Sequence, residues 1–159
     1  MTEIERLYKP KWFELYELMP PELYTYDMMV SEAARERAFA NFFDRKLLET
    51  IDVVREIIGL PLICNTWFQD GNRVASGYRT KTCSVGAENS QHKLGKAVDL
   101  ICHKMSAEEM RQKIKENEHL LPYPIRIEAG VNWLHIDVKD RKVHPTHPAK
   151  THKIYFFKG

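Results

Sequence analysis

The spacing of apolar residues along the chain predicts its clearest helix over residues 44–60. Apolar side chains recur there at intervals of three and four, as on one face of an α-helix. They are Leu47, Leu48, Ile51, Val54, Ile57 and Ile58. Gly59 follows in the position of a C-terminal cap, and Pro61 closes the exit from the helix.

Two further helices are indicated by their start signals. Residues 31–42 form a helical pattern, and Ser31 is suited to accept a hydrogen bond at its N-terminus. Ser106 and Glu109 have the spacing of a capping box, and residues 107–119 continue as an amphipathic helix.

Short apolar runs predict the strands. Residues 61–68 and 96–103 are typical of buried strands, and residues 125–138 indicate two strands around a turn at Ala129-Gly130. The end of this last segment alternates: Trp133, His135 and Asp137 share one face, and Leu134, Ile136 and Val138 share the other. The polar segment at about 70–95 is long for a structureless loop, which indicates a functional segment or short elements within it.

The order of these elements predicts an α+β fold, with a small, mostly antiparallel sheet and flanking helices. The 159 residues are enough for one domain with a single core. We assign the region that carries the chemistry to about 43–140, followed by a basic tail at 141–159 that is rich in His and Pro and ends in an apolar IYFF segment.

The charge, the apolar runs and the cysteines of the chain limit which classes of partner and which cellular location the sequence predicts. A net charge of +2 is too small to indicate a nucleic-acid partner. No apolar run approaches the length of a membrane span, and the acidic start of the chain lacks the pattern of a signal peptide. We therefore expect a protein made in the cytoplasm. The three cysteines form no zinc-ribbon spacing, and their odd number does not favour a disulfide framework.

Two histidines and one aspartate are the candidate metal ligands. Asp99 lies inside an apolar run, where a carboxylate is costly unless it is paired or bound to a cation. His92 precedes this run, and His135 lies on the polar face of a strand. Two imidazoles and a carboxylate are a frequent catalytic zinc set that leaves one position open for water. His144 and His147 in the tail are interpreted as solvated, with adventitious metal binding as the alternative.

Three sequence motifs that bear on the function occur in order along the chain: SGYRT at 76–80, SQHKLGKAVDL at 90–100 and WLHID at 133–137. Together they resemble the D-alanyl-D-alanine carboxypeptidase family of zinc peptidases, which is grouped with vancomycin-resistance D,D-dipeptidases, phage endolysin peptidases and the hedgehog signalling domain. The middle motif matches the family pattern S-x-H-x-x-G-x-A-x-D in full. The resemblance implies a hedgehog/D,D-peptidase-like fold and does not extend past about residue 140.

The resemblance implies that His92, Asp99 and His135 hold Zn²⁺. Such an ion lowers the pKa of a water molecule and polarises the scissile carbonyl, and a carboxylate must move the proton. Family members carry this acid a few residues before the last histidine, but Asn132 stands three residues before it in this chain. We therefore assign the role of general base to Glu128, on the preceding strand. Asp137 is the second choice, and its alternative role is to orient a metal ligand.

The resemblance also places Arg79 near the substrate, where a guanidinium can stabilise an oxyanion or bind a carboxylate. The alternative for Arg79 is a salt bridge within the loop. Ser90 and Gln91 are expected to flank the site. Tyr78 is a candidate for substrate contact or for the core.

The predicted function is zinc-dependent hydrolysis of a peptide bond in the stem or cross-bridge of bacterial peptidoglycan. The D,D-carboxypeptidase and endopeptidase types remain open. A monomeric phage or prophage endolysin, which reaches the cell wall after release from the cytoplasm, fits a short chain of this kind. The alternative is a non-catalytic zinc-binding protein or a virion structural protein with the same fold, which the amide at Asn132 favours.

Overall fold

The computed structural model describes residues 7–140 and 152–159 of the chain. The α-helices of this part are α1 (Leu15–Leu18), α2 (Tyr26–Val30), α3 (Glu32–Phe42), α4 (Arg45–Ile58) and α5 (Ala107–Glu116). The strands are β1 (Ala97–Leu100), β2 (Ile125–Glu128), β3 (Leu134–Asp137) and β4 (Ile154–Phe157). The predicted α+β class is confirmed. Within the described ranges, no helix combines the length and the apolar character needed to cross a bilayer.

The strands form one sheet in the order β1-β3-β2-β4. The two pairings that involve β3 are antiparallel, and β4 joins β2 in parallel. The sheet is therefore mostly antiparallel, as predicted. The IYFF segment near the end of the tail forms its last strand, which the local pattern alone did not predict.

Helix α4 has the C-terminal cap that the sequence predicts and a side-chain cap at its N-terminus as well. The Asp44 side chain accepts a hydrogen bond of 2.8 Å from the Lys46 amide at the N-terminus. Gly59 adopts a left-handed conformation with φ of 75° at the other end. The six apolar residues that predicted this helix are all buried. The helical spacing therefore identified the face of α4 that enters the core.

The caps of α3 and α5 are also confirmed. Ser31 accepts a hydrogen bond from the Ala34 amide at the start of α3. Ser106 and Glu109 form a reciprocal capping box at the start of α5. The α5 helix packs against α4 and β3, and so covers one face of the sheet.

The strand predicted at 61–68 is wrong. Only Ile63 pairs as a strand residue there, in an isolated bridge with Ile101. The chain leaves the sheet after Ile63 because the Asn65 side chain forms hydrogen bonds outside the sheet. This side chain donates to the Met19 carbonyl and accepts from the Ser76 amide. A 3₁₀ turn at Trp67–Gln69 follows. The long polar segment does contain a short element of its own, the 3₁₀ helix Gln91–Leu94.

The apolar face of the sheet forms the core with the helices. Its fully buried residues are Val98, Leu100, Ile125, Ile127, Leu134 and Ile136. The opposite face is left for polar side chains. The tail residues His144 and His147, for which solvation was predicted, lie outside the described residues.

Candidate metal centre

The register of the sheet gathers polar side chains on one face. Asp99 of β1 is paired with His135 of β3, and Arg126 of β2 is paired with Asp137 of β3. Side chains two residues apart on a strand point to the same face, so these four residues share it. Glu128 lies two residues after Arg126 on β2 and therefore points to this same face.

His92 reaches this face from the 3₁₀ helix that precedes β1. Ser90 caps the helix by accepting a hydrogen bond from the His92 amide. Gly95 ends it with φ of 68°, which returns the chain into β1. A side chain at Gly95 would meet the Phe42 carbonyl, so this turn requires glycine on two grounds. His92 is almost completely buried, with 2% exposure.

The three predicted ligands meet at one point. His92 Nε2 lies 3.3 Å from Asp99 Oδ1, and His135 Nδ1 lies 2.8 Å from the same oxygen. One ligand atom from each residue lies within 4.8 Å of the others. Ligands about 2.1 Å from a tetrahedral zinc ion are roughly 3.3 Å apart. The cluster therefore has the dimensions of a zinc site.

The outer hydrogen bonds of both histidines direct lone pairs into the cluster. With its Nδ1–H donated to the Gly77 carbonyl at 2.9 Å, His92 presents Nε2 as an acceptor. With its Nε2–H donated to Asp137 at 2.8 Å, His135 presents Nδ1 in the same way. Partners of this kind fix the tautomer and the orientation of metal-binding imidazoles. The donor set therefore fits a divalent metal ion.

When protons rather than a metal ion occupy the inner ring nitrogens of His92 and His135, the cluster favours positive charge between the carboxylates. Burial raises the pKa of Asp99, but hydrogen bonds from His135 and His92 outweigh it and hold this pKa well below its usual range. Burial lowers the pKa of His135, but hydrogen bonds to Asp137 and Asp99 raise it to about 9. A site that stabilises a buried carboxylate and an imidazolium in this way is also suited to a bound cation.

Asp137 is completely buried and holds four donors. It receives the His135 ring N–H, a bidentate pair of hydrogen bonds from Arg126 at 2.8 and 2.9 Å, and the Lys139 amide at 3.2 Å. Burial raises the pKa of Asp137, but the hydrogen bonds from His135 and Arg126 lower it to about 2. A carboxylate with all its lone pairs engaged is suited to orienting His135 and poorly suited to accepting a proton.

A cavity of about 440 Å³ lies over the cluster. Glu128 lines it together with all three candidate ligands. Asn132, at the position where the sequence resemblance led us to expect an acid, lines a separate cavity with Cys102, Met105 and Arg111. The hairpin thus brings Glu128 to the metal cavity and turns Asn132 away from it.

Three of the four loop residues that were predicted as candidates for substrate contact line the cavity over the metal cluster, and the fourth does not. Arg79, Ser90 and Gln91 line the metal cavity. Arg79 is buried, with Nη2 at 3.4 Å from Asp99 Oδ2 and Nε bonded to the Ala75 carbonyl at 2.7 Å. Tyr78 instead packs against the rings of Phe42 and Phe43 and is not among the cavity's lining residues.

The comparison with family models identifies the chain. The model described as Peptidase M15 matches residues 21–137, which is most of the sequence. The chain belongs to this family. M15 peptidases are zinc-dependent D-Ala-D-Ala carboxypeptidase-like enzymes, so the predicted resemblance is confirmed and membership implies zinc-dependent peptidase activity. No curated protein and no solved structure gives a significant match.

Several residues that line this cavity were not predicted as site residues from the sequence, among them three large side chains. Arg126, Trp133 and Phe157 line it beside the candidate ligands. The alternation of residues 125–128 could have indicated Arg126, which lies two residues before Glu128 and on the same face. No sequence signal placed Phe157 there, because its position depends on the pairing of β4 with β2.

Proposed function

We propose that this M15 peptidase hydrolyses a peptide bond in bacterial peptidoglycan, with zinc held by His92, Asp99 and His135. The observation that supports the ligand assignment is the orientation of the two imidazoles. Each has one ring nitrogen committed to a protein acceptor and the other within 3.3 Å of Asp99. The proposed enzyme is a single domain, because the sheet that carries two of the ligands also includes β4.

The chemistry requires a base beside the metal. Zinc would lower the pKa of the attacking water and polarise the scissile carbonyl. Glu128 would take the proton from that water and return it to the leaving amine. Its place on the wall of the cavity that His135 also lines supports this role. The buried contacts of Asp137 to His135 and Arg126 support a positioning role for that residue instead.

Arg79 would stabilise the charge that develops on the carbonyl oxygen. Its guanidinium lies at the cavity wall, and Nη1 has only long contacts, 3.4 Å to the Val85 carbonyl and 3.5 Å to Ser90 Oγ. Nη1 could therefore exchange these weak contacts for a hydrogen bond to an oxyanion at small cost. Ser90 and Gln91 line the same wall and would contact the substrate backbone.

The substrate class rests on membership in a family of D-Ala-D-Ala carboxypeptidase-like enzymes. An endolysin role is part of the same proposal, and it predicts that the added protein clears suspensions of purified cell walls. The carboxypeptidase and endopeptidase modes differ in whether one amino acid or a cross-link is released. Mass spectrometry of digested peptidoglycan distinguishes these products directly.

The decisive experiment compares zinc-loaded wild type with Glu128→Gln on peptidoglycan and on a peptide ending in D-Ala-D-Ala. We expect the wild type to release amines and chelated protein to be inactive. Glu128→Gln should lose turnover by a factor of about 10² or more and keep its zinc, because general acid–base groups contribute on this scale. If Glu128→Gln retains turnover, the proton acceptor is a different residue.

A non-catalytic zinc-binding protein is the second candidate. The amide at Asn132 favours it, because relatives carry an acid at this position. This candidate predicts stoichiometric zinc binding and no amine release from any wall substrate. The position of Glu128 in the metal cavity, and of Asn132 in another, supports the enzyme instead.

A further inference from the structure

One wall of the metal cavity comes from a part of the chain beyond the family match. The M15 match ends at residue 137, whereas Phe157 and Gly159 line the cavity. Phe157 is the last residue of β4, which pairs in parallel with β2, and Gly159 lies two residues further along the chain. The Ala129 amide donates to the Phe157 carbonyl at 2.7 Å and fixes this end of the pairing. The segment therefore adds a surface that the matched region does not supply.

Phe157 is directed at the catalytic face of the sheet. Its register partner is Glu128, so both side chains point toward the cavity. The Phe157 ring meets the His135 ring edge-to-face, with centroids 5.7 Å apart. The guanidinium carbon of Arg126 lies 4.2 Å from the centroid of the Phe157 ring. These contacts hold the ring beside both the metal ligands and the proposed base.

The ring of Phe157 is not part of the hydrophobic core. Phe157 is absent from the core cluster and stays partly exposed, whereas Ile154 on the same strand is buried in that cluster. Apart from Phe157 and Trp133, the cavity wall is mainly polar or charged. A partly exposed aromatic ring in a polar cavity offers apolar surface to a ligand that enters it.

We propose that Phe157 is the specificity residue for the amino acid on the leaving-amine side of the scissile bond. This inference rests on the proposed peptidase function. Glu128 must reach the leaving nitrogen to protonate it, so the residue that bears this nitrogen lies on the Glu128 side of the metal. Phe157 borders that position, and its ring packs against an aliphatic side chain there, such as the methyl group of D-alanine.

The test compares two peptides that differ only in the leaving residue, one ending in D-Ala-D-Ala and the other in D-Ala-Gly. A methyl group packed on the ring is worth about fourfold in kcat/KM. Phe157→Ala should lose this preference while it keeps one zinc per chain and its far-ultraviolet circular dichroism. Phe157→Leu should restore part of it. Phe156→Ala is the matched control, because Phe156 lies on the opposite face of β4 and should leave the preference unchanged.

Binding measurements separate this inference from the peptidase proposal. Calorimetry with zinc-loaded Glu128→Gln, with and without Phe157→Ala, measures the same preference without turnover. If the wild type releases no amine from either peptide or from purified peptidoglycan, the peptidase proposal fails, and the binding preference alone decides the role of Phe157. If the preference is absent, survives Phe157→Ala in a folded, zinc-containing protein, or falls equally in Phe156→Ala, the inference about Phe157 is overturned.

Discussion

Replacing Asp137 with asparagine tests how the protein orients its metal ligand. The Asp137 carboxylate is fully buried and accepts from His135, twice from Arg126 and from the Lys139 amide. Asparagine keeps the shape but removes the charge, and its amide N–H₂ must face at least one of these donors. The substitution therefore separates the charge of the side chain from its volume.

The expected cost has two parts. Breaking one partner of a buried ion pair costs about 3–5 kcal/mol. We expect about 3 kcal/mol, since the Arg126 side chain is 19% exposed and recovers some hydration. In addition, His135 loses the acceptor that fixes its tautomer, and such outer partners are worth roughly 10- to 100-fold in metal affinity.

Two measurements check Asp137→Asn. Urea unfolding followed by circular dichroism gives the change in the free energy of unfolding. Competition with a chromophoric chelator gives the change in zinc affinity. Asp140→Asn is the control, because Asp140 is exposed and makes none of these contacts to His135 or Arg126. If Asp137→Asn matches the wild type in both measurements, the orienting role of Asp137 is refuted.

Four further substitutions have defined outcomes. Gly95→Ala should lower the free energy of unfolding by more than about 2 kcal/mol, because a left-handed alanine costs roughly 1–2 kcal/mol and its Cβ meets the Phe42 carbonyl. Gly130→Ala, with positive φ but open space, should cost only about 1 kcal/mol in the same urea titration. Asp52→Ala should lower the free energy of unfolding by about 2 kcal/mol and expose the chain around residues 8–12 to limited proteolysis. The reason is that the Asp52 carboxylate accepts one hydrogen bond from a hydroxyl and two from backbone amides of that segment. His92→Ala should abolish stoichiometric zinc binding measured by atomic absorption, and retention of tight binding would contradict the ligand assignment.

The parts of the fold that were predicted correctly have local signals. The α4 helix has a full apolar stripe, and Gly59 marks its C-terminal cap in the sequence. Alternation identified the polar face of β3, and the sequence motifs identified the cluster of His92, Asp99 and His135. In each case, the residues that determine the structure lie within one element or one motif.

The parts that were missed depend on distant pairings. The apolar residues at 61–68 resemble a strand, but the chain turns away after one bridge, because the Asn65 side chain donates to the Met19 carbonyl and accepts from the Ser76 amide. The parallel pairing of Ile125 with Ile154 joins segments that no local pattern connects. Arg126 and Phe157 belong to the metal cavity only because of these registers.

The proposal of Glu128 rather than Asp137 as the base, already preferred from the sequence, gains support from the structure. Both are acidic residues near His135 in sequence, and strand alternation places both on its face. Only the side-chain contacts distinguish them: Asp137 has no exposed surface and is engaged by Arg126 and His135, whereas Glu128 lines the cavity.

We propose that the His92–Asp99–His135 cluster holds a zinc ion that serves peptide hydrolysis in the cell wall. The most direct test is amine release from purified peptidoglycan by protein whose zinc content has been measured, before chelation, after chelation and after zinc is restored. We expect activity that disappears with the metal, returns with about one zinc per chain and is absent in Glu128→Gln at equal zinc content. A zinc-replete, folded wild type that releases no amine from any wall substrate would contradict it.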